Sequence, residues 1–452
     1  MNPKTPKVIT RIPPSPTGHL HIGTARTALF NYLYAEAFGG EMIFRSEDTD
    51  KERSKREFEE EIVEGLHWLG FHWSNEVILR QSERGTIYRQ YLEKMLTAGS
   101  AYLSLEDSKK NPGEKITVVR LKNPNKVITF NDLIRGDISF DTTELGDLVI
   151  ARNLDDALYH FTVVVDDFEM GVTHVVRGED HISNTPRQIL IQEAIGAPRP
   201  IYAHLPLILA SDRSKMSKRH GAVSLIEYQK AGYLKEAIIN YLALLGWNPG
   251  TNQELFTLAE LKAVFSLNHV QKSGAVFDLN KFAWFNKQYL DRLSVEEFAT
   301  YITIDLPDTL AKLPQFSTDR LTRLLPSIRE RVSTRKEFHD QVSTLEYDFA
   351  FTTPVYDTDL LQWKNDPDVT LAKPRLAKAA ELLKTAAFSS PDTIKAALWG
   401  YAEEVGKGEL FWPLRVALSG RKQSPDPFTI AYIIGLEETL LRISAACDKI
   451  EK

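Results

Sequence analysis

The chain contains very little cysteine. Cys447 is the single cysteine among 452 residues, which excludes an intramolecular disulfide and a zinc site built from several thiolates. So little cysteine is typical of proteins from reducing compartments. We therefore expect a cytoplasmic protein that holds no zinc.

Long apolar segments are also absent. No stretch approaches the roughly 18 uninterrupted apolar residues of a membrane-spanning helix. The opening MNPKTPKVITR carries no apolar segment of the kind found in signal peptides. These two observations predict a protein without a membrane partner.

Positive charge is not in excess, since 55 Lys and Arg stand against 61 Asp and Glu, a formal net charge of -6. This excludes a uniformly basic surface that coats nucleic acid. One local exception lies at residues 319–337, where basic side chains outnumber acidic ones by three. The segment predicts either a phosphate-contacting surface or a solvated helix face. Its basic residues are Arg320, Arg323, Arg329, Arg331, Arg335 and Lys336.

The usual phosphate-binding motifs are missing after the first predicted strand, at residues 8–11. Neither G-x-G-x-x-G nor G-x-x-x-x-G-K-[ST] occurs there. Instead PSPTGHLHIGTARTAL leads from that strand into a helix predicted over residues 25–38. Such a loop and helix start suit a phosphate group. His21 and Gly23 are the candidates for nucleotide contact, the alternative being that His19 and His21 are ordinary loop histidines.

Strands and helices then alternate, which predicts a parallel sheet. We expect further strands at 42–45, 161–165, 174–177 and 206–209, and helices that start at Ser54, with capping-box spacing to Glu57, and at Thr185. Residues 99–152 break the alternation with short β-like pieces at 126–130 and 147–150. We interpret them as an insertion, and the chain after Leu225 as mainly helical.

Acidic clusters could suggest a metal site. Glu47 begins the acidic run EDTD, Asp166 and Asp167 are adjacent, and Asp180 lies in the run GEDH. We interpret Asp48 and Asp50 as helix-capping residues and the later acids as loop or nucleotide-contact residues.

A second basic segment, SDRSKMSKRHG at 211–221, follows the last predicted strand. Alone it is typical of a solvated surface. Together with HLHIG about 190 residues earlier, K-M-S-K resembles the pair of motifs of class I aminoacyl-tRNA synthetases. Longer stretches resemble bacterial-type glutamyl-tRNA synthetases from residue 11 to residue 421. They include RIPPSPTGHLHIGTARTALFNY, FRSEDTDKERS, LYHFTVVVDD, MGVTHVVRGEDHISNTPRQIL and WPLRVALSGR.

The resemblance implies an α/β fold with a Rossmann-like parallel-sheet catalytic domain, an inserted acceptor-end segment and an all-α C-terminal anticodon-binding region. The insertion is shorter than in many family members. The expected division is catalytic domain at 1–98 and 153–222, insertion at 99–152, helical stem-contact domain at 223–310 and anticodon-binding domain at 311–452.

The resemblance also implies an activity: ATP-dependent activation of glutamate to glutamyl-adenylate, and its transfer to the terminal adenosine of tRNA-Glu. Activation needs charge stabilisation more than a nucleophile. Catalysis is expected of His21, Lys215 and Lys218. The expected ATP-binding residues are Pro14, Gly18, His21, Gly23, Thr24, Glu179, Lys215, Ser217 and Lys218. The expected glutamate-binding residues are Arg11, Pro13, Ser15, Glu47, Tyr159, Val163 and Arg177.

The implied partners are L-glutamate, ATP with Mg²⁺, and tRNA-Glu, with Arg331 at the anticodon and the protein a monomer. Whether tRNA-Gln is also charged stays open. The resemblance further implies that activation of glutamate needs bound tRNA. The alternatives are a relative that glutamylates a modified tRNA base, a small-molecule adenylyltransferase with the same His-x-Gly loop, and a non-catalytic RNA-binding paralogue. The helical C-terminal third disfavours the first and the K-M-S-K segment the second. The presence of His21 and both lysines disfavours the third.

Overall fold

A computed structural model describes residues 7–107, 113–216 and 224–451. The predicted ATP-site residues Ser217 and Lys218 lie outside the described residues. The chain divides into two compact units, Met1–Asn286 and Lys287–Lys452. The finer five-part division stays a prediction.

The first unit is built on parallel strands. β1 (Ile9–Ile12) pairs with β2 (Glu41–Ser46), which pairs with β3 (Leu79–Arg80). On the other side of β1 lies β10 (His174–Gly178), and the Thr173 backbone N–H donates to the Ile9 carbonyl at 3.0 Å. β10 pairs in parallel with β11 (Ile201–Leu205). The predicted parallel sheet is therefore confirmed.

A buried helix, α1 (Ile22–Ala37), connects β1 to β2 and packs on both strands and on β10. Eleven of its sixteen residues are buried. Asn31 fixes its position, because its side-chain amide donates to the Val176 carbonyl at 3.0 Å. The helix thus holds the predicted phosphate loop, which directly precedes it, against the sheet.

Residues 101–107 and 113–157 form two antiparallel elements, where the sequence predicted short β-like pieces. The strands are β4 (Ala101–Asp107), β5 (Lys115–Leu121), β6 (Val127–Asp132), β7 (Gly136–Asp141), β8 (Leu148–Asn153) and β9 (Asp156–Ala157). β4, β5, β8 and β9 make one sheet, whereas the β6–β7 hairpin joins the edge of the central sheet. There β6 pairs with β11 at Asp132 and Tyr202. The hairpin is therefore part of the catalytic sheet.

One predicted strand is wrong. Residues 161–165 lie inside helix α4 (Tyr159–Glu169), although they carry three consecutive valines. Phe161, Val164 and Val165 share a buried core with α3 (Gly85–Ala98) and α5 (Thr185–Ile195). Burial on most sides of a helix also gives an almost continuous apolar run, so packing overrides the β-propensity of valine.

Two helix starts also differ from their predictions. α2 (Arg56–Trp68) has Lys55 at its N-cap, so the predicted Ser54 and Glu57 capping box is wrong. Asp48 does not cap this helix either, since its carboxylate accepts from the backbone N–H of Ser82 at 2.8 Å. In α5 the cap position belongs to Asn184, and Thr185 is the first helical residue.

The remaining described elements are two short strands and many helices. β12 (Ile208–Leu209) covers only half of the strand predicted at 206–209, and it pairs with β13 (Ala275–Val276). The helices of the first unit are α6 (Leu225–Ala231), α7 (Lys235–Leu244) and α8 (Leu258–Val264), and α9 (Leu279–Leu290) crosses the boundary. Those of the second unit are α10 (Val295–Thr303), α11 (Asp308–Ala311), α12 (Thr318–Arg331), α13 (Arg335–Ser343), α14 (Ala372–Leu383), α15 (Pro391–Val405), α16 (Lys407–Ser419) and α17 (Pro427–Glu451). The predicted helical C-terminal third is confirmed.

Candidate active site

A cleft of about 560 Å³ opens where β1 and β10 end and α1 begins. The carboxyl ends of parallel strands are where open α/β sheets bind their ligands. The cleft brings together most of the predicted site residues: Arg11, Pro13, Pro14, Ser15, His21, Gly23, Thr24, Glu47, Tyr159, Arg177 and Lys215. Three others, Gly18, Val163 and Glu179, are not among its lining residues.

His21 is the N-cap of α1, and its Nδ1 accepts a hydrogen bond from the backbone N–H of Gly23 at 3.0 Å. A neutral imidazole whose Nδ1 accepts must carry its proton on Nε2. His21 therefore offers an Nε2–H donor beside the positive end of the helix dipole. A Cβ at Gly23 would lie 3.2 Å from Nδ1 of His21, so the glycine gives this ring its room.

His19 has a different surrounding. Its Nδ1 lies 2.6 Å from Oε2 of Glu61 on α2, and the side chain is about half exposed. It is not among the cleft-lining residues. Of the two histidines in the motif, the structure brings only His21 to the cleft.

Arg11 is buried at the end of β1, and a carboxylate from α4 holds it. Its Nε donates to Oδ1 of Asp167 at 3.3 Å, while its buried Nη1 has no hydrogen-bond partner within the described ranges. A guanidinium with a buried unused donor is short of one acceptor. Since Arg11 lines the cleft, a ligand oxygen there can satisfy it.

Asp167 also binds the fully buried Arg45, whose Nη1 donates to the same Oδ1 at 2.8 Å. Nη2 of Arg45 donates in turn to Oε1 of Glu47 at 3.2 Å. One carboxylate thus sets the position of Arg11 directly and of Glu47 through Arg45. Arg11 and Arg45 hold the pKa of Asp167 below its ordinary value despite its burial.

Asp166, the neighbour of Asp167 in α4, anchors the helix that carries Asp167. It is fully buried and accepts from Gln81 at 2.8 Å, from Arg84 at 2.6 Å and from the Tyr88 hydroxyl at 2.7 Å. Three donors, from α3 and the residues just before it, therefore fix the position of α4. The sequence interpretation of Asp166 and Asp167 as loop residues is wrong, because both lie in a helix and carry buried ion pairs.

Arg177, at the end of β10, is held in another way. Its donors reach Nε2 of His204 at 3.2 Å, Oε1 of Gln188 at 2.7 Å and Oγ1 of Thr185 at 2.8 Å. All three acceptors are neutral, and no carboxylate in the described part of the chain lies within ion-pair distance of Arg177. Burial, reinforced by the charge of Arg11, lowers the pKa of Arg177. Its positive charge is left for a ligand.

Glu47 and Tyr159 complete the inner cleft. Burial raises the pKa of Glu47, although Arg45 and Arg11 oppose the rise. Burial and the nearby Glu47 raise the pKa of Tyr159 to about 12, so its hydroxyl remains a neutral hydrogen-bond donor. The inner cleft therefore combines one carboxylate, one hydroxyl and two arginines.

The charges of this group do not cancel. With Glu47 ionised, four guanidinium groups face three carboxylates, which leaves one net positive charge. The members are Arg11, Arg45, Arg84, Arg177, Glu47, Asp166 and Asp167. A buried net charge is costly unless a partner neutralises it. Arg11 and Arg177 therefore favour a ligand with at least one carboxylate in the inner cleft.

Comparison with known proteins agrees with this chemistry. The family model described as "tRNA synthetases class I (E and Q), catalytic domain" matches residues 7–115 and 103–284, and the model described as "Anticodon binding domain" matches residues 294–447. The glutamate–tRNA ligase of Desulforamulus reducens is 40% identical, over 96% of this chain and 98% of its own length. The chain belongs to the glutamate–tRNA ligase family.

Other family members give the same picture. The glutamate–tRNA ligase of Carboxydothermus hydrogenoformans is 38% identical, over 96% of this chain and 99% of its own length. A crystal structure of the glutamate tRNA ligase from Elizabethkingia meningosepticum, in complex with its amino acid, has a TM-score of 0.85 and 31% identity. The structural match covers 98% of this chain and 100% of the Elizabethkingia meningosepticum chain. These matches confirm the family that the sequence resemblance predicted and the α/β fold.

The family resemblance places two lysines at the phosphates, Lys215 and Lys218, and the structure describes Lys215. Lys215 is largely exposed, and its Nζ lies 2.9 Å from Oδ2 of Asp180 at the rim of the cleft. Glu179 accepts from the Leu207 backbone N–H at 2.7 Å and pairs with Arg135 at 2.6 Å, and its contact with ATP stays a prediction. It positions the turn before β12.

The basic segment 319–337 lies on α12 and the start of α13, in the second unit. All six of its basic side chains make contacts within the protein. The contacts are Arg320 to the Ala350 carbonyl, Arg323 to Asp319, Arg329 to the Ser294 carbonyl, Arg331 to Glu346, Arg335 to Asp305 and Lys336 to Asp340. Several of these pairs are exposed, and each cation has further donors, so the contacts leave the segment able to meet phosphates.

Sequence reasoning missed the supporting residues of the cleft. Arg45, Asp166 and Asp167 contact the predicted site residues or each other. All three lie in stretches that carry the resemblance, FRSEDTDKERS and LYHFTVVVDD, but none of them was predicted to support the cleft. An arginine at the end of a buried strand and two adjacent acids in an apolar run were signals of buried pairs.

Across the described ranges, no group of three or more His, Cys, Asp or Glu side chains could hold a metal ion. Within the same ranges, no helix is long and apolar enough to cross a membrane.

Proposed function

We propose that this cleft joins L-glutamate to ATP, and that the chain then passes glutamate to the 3′-terminal adenosine of tRNA-Glu. The observation that carries the proposal is Arg177, a buried guanidinium held only by neutral acceptors within the described ranges. Beside it Arg11 keeps an unused buried donor. Arg177 offers an unpaired charge and Arg11 an unused donor, and together they suit the two carboxylates of glutamate.

Each end of the amino acid has a partner in this proposal. Arg11 and Arg177 bind carboxylate oxygens, with the neutral hydroxyl of Tyr159 as a further donor. The carboxylate of Glu47 receives the ammonium group. Pro13 and Ser15 line the same wall. Val163 supports it indirectly, since it is buried in α4 beneath Tyr159 on the same helix.

Charge explains the choice of glutamate over glutamine. Glutamate has one net negative charge and presents a carboxylate oxygen to each of the two arginines. Glutamine has none, and its amide would present N–H groups to guanidinium N–H groups. A site built on a specific polar partner rejects the analogue that lacks it by factors of roughly 10⁴.

Activation requires an oxygen of the glutamate α-carboxylate to attack the α-phosphorus of ATP while pyrophosphate leaves. No covalent enzyme intermediate is needed. The Nε2–H of His21 and the amides at the start of α1, including that of Thr24, stabilise charge on the α-phosphate. Lys215 and Lys218 neutralise the departing pyrophosphate, and Pro14 and Gly18 shape the loop. Gly23 keeps the His21 ring in place.

Mg²⁺ would accompany ATP in this proposal, held mainly by phosphate oxygens and water. Asp180, which pairs with Lys215 at the rim, is one of the two described carboxylates that line the cleft. When bound, the ion would supply positive charge to the phosphates. We assign no protein ligand set for it.

The tRNA would contact both units. We propose that the segment 99–152 binds the acceptor end, that residues 223–310 contact the stem, and that 311–452 bind the anticodon, with Arg331 among the contacts. Arg331 now pairs with Glu346 at 3.2 Å, and both side chains are partly exposed, so the pair can open toward a base. We further propose that the protein acts as a cytoplasmic monomer and that activation requires bound tRNA.

The test is aminoacylation of purified tRNA-Glu and tRNA-Gln, side by side, with radiolabelled glutamate and ATP. Acid-precipitable product on tRNA-Glu is expected, and its absence with active tRNA would refute the proposal. The tRNA-Gln arm decides whether both tRNAs are charged. ATP–pyrophosphate exchange with and without tRNA tests the coupling, since exchange without tRNA would contradict it. Labelled glutamine, as the matched control substrate, should give no product.

A further inference from the structure

A chain of three buried side chains runs from the β6–β7 hairpin to the cleft. Asp132 ends β6, His204 lies on β11 and Arg177 is the last but one residue of β10. Asp132 is 1%, His204 0% and Arg177 6% exposed. The hairpin that supplies Asp132 belongs to the segment interrupting the alternation of strands and helices. The chain therefore links that segment to the inner cleft.

The hydrogen bonds of this chain have one consistent direction. The Nε of an arginine always carries a hydrogen, so the 3.2 Å contact from Arg177 makes Nε2 of His204 an acceptor. The proton of the neutral ring is then on Nδ1. Nδ1 lies 2.6 Å from Oδ2 of Asp132, the distance of a strong donor and carboxylate pair. Asp132 thus selects the tautomer that Arg177 needs.

The electrostatics agree with a neutral ring beside an ionised acid. Burial lowers the pKa of His204, although Asp132 opposes this effect. The hydrogen bonds from His204 and from the backbone of Arg135 and Ile134 hold the pKa of Asp132 below its ordinary value despite burial. A protonated His204 would carry hydrogens on both nitrogens and turn an N–H toward the N–H of Arg177.

We propose that Asp132 and His204 are positioning residues that aim Arg177 at the glutamate carboxylate without neutralising it. The inference rests on the proposed role of Arg177 in glutamate binding. A carboxylate directly on Arg177 would fix its position equally well but would consume the charge that the substrate needs. Arg11, which Asp167 holds directly, shows that alternative in the same cleft. The His204 ring transmits the orientation set by Asp132 to Arg177, and it keeps the Asp132 carboxylate out of contact with the guanidinium.

Asp132→Asn is the sharpest variant because it changes one atom. Oδ1 of Asp132 accepts from the backbone N–H of Ile134 at 3.0 Å and of Arg135 at 2.9 Å, and an asparagine oxygen preserves both. Its amide then faces Nδ1 of His204 as a donor, so the ring must move its proton to Nε2. That hydrogen can still meet Oγ1 of Thr185, 3.1 Å from Nε2, but it leaves the N–H of Arg177 without its acceptor.

The assay is steady-state tRNA-dependent ATP–pyrophosphate exchange at varied glutamate concentration. We expect Asp132→Asn to raise the glutamate KM about tenfold or more and to leave kcat within about threefold. His204→Gln, whose amide can still donate to Asp132 and accept from Arg177, should keep the KM close to that of the unaltered protein. Glu193→Gln is the matched carboxylate-to-amide control, since Glu193 pairs with Lys126 and Arg199 outside the cleft and should change neither constant.

A second arm measures the tautomer in the unaltered protein by NMR of ¹⁵N-labelled histidine, with the His204 signals assigned through His204→Gln. Protonated Nδ1 and unprotonated Nε2 support the proposal, and the opposite tautomer or an imidazolium overturns it. It decides the matter even if Asp132→Asn does not fold. A folded Asp132→Asn with an unchanged glutamate KM also overturns the proposal. If the unaltered protein activates no glutamate, the proposed function fails, whatever the tautomer.

Discussion

Replacing Asp167 with asparagine removes the one anion that Arg11 and Arg45 share. Oδ1 of Asp167 lies 2.8 Å from Nη1 of Arg45 and 3.3 Å from Nε of Arg11. Two opposite charges about 3 Å apart attract by roughly 5 kcal/mol at an effective dielectric constant of about 20. The carboxylate loses part of this gain to dehydration. Breaking a buried pair by removing one partner costs about 3–5 kcal/mol, and we expect that loss in the free energy of unfolding.

Urea unfolding followed by far-UV circular dichroism measures the effect, and the transition of the first unit is the relevant one. For a slope of about 3 kcal/mol/M, the expected loss lowers the urea midpoint by roughly 1 M or more. The glutamate KM should rise as well, because Arg11 and Glu47 lose their alignment. Asp50→Asn, which removes an exposed pair with Arg53, is the control and should leave the midpoint unchanged. A midpoint for Asp167→Asn equal to that of this control would refute the reasoning.

The pH dependence gives an independent check on Asp167. Its pKa is lowered in the folded protein, from an ordinary value of 3.8. A lowered carboxyl pKa stabilises the fold fully above pH 3.8, and this contribution is lost as the pH falls through the folded pKa. The difference in stability between the unaltered protein and Asp167→Asn should therefore be constant from pH 5 to pH 7. A difference that fades within that range would contradict the assignment.

Other expected outcomes concern the cleft itself. Gly23→Ala should lower kcat for ATP–pyrophosphate exchange by about tenfold or more with an unchanged glutamate KM, because its Cβ would displace the His21 ring. Arg177→Ala should raise the glutamate KM by about a hundredfold, and an unaltered KM would assign Arg177 to structure alone. Lys215→Ala should lower kcat by about a hundredfold without changing the melting temperature, since the side chain is exposed. The acid limb of kcat/KM for glutamate should lie above pH 4.5, because the pKa of Glu47 is raised, and Glu47→Gln should remove it.

The sequence predicted the parts of the fold that depend on local signals. The strand before PPSPTG, the helix after HLHIG and the β-like pieces at 126–130 and 147–150 all have local causes, namely proline, glycine and β-branched residues. The strand at 161–165 was wrong because its three valines pack inside a helix. Apolar composition alone cannot separate a buried strand from a buried helix.

The residues of the candidate site also fall into two groups, those that the sequence could predict and those that it could not. Residues on the two motifs, such as His21 and Lys215, could be chosen from the sequence because a resemblance marks them. The supporting pairs could not, since Asp167 lies 156 positions after Arg11 and 122 after Arg45 in the chain. Asp132 and His204, 72 positions apart, meet only because β6 joins β11. Such contacts depend on the topology of the sheet, which no local pattern encodes.

The burial of α1 has a consequence for how the protein loses activity. The helix packs against three strands, and its Asn31 is bonded to β10, so its amides can exchange with solvent only when the first unit opens as a whole. His21 caps this same helix, so we expect its geometry to last as long as the first turn of the helix. In hydrogen exchange, α1 should therefore report the global stability of the first unit. During thermal inactivation, adenylate formation should persist up to the temperature at which this unit unfolds, with no earlier local loss at the phosphate loop.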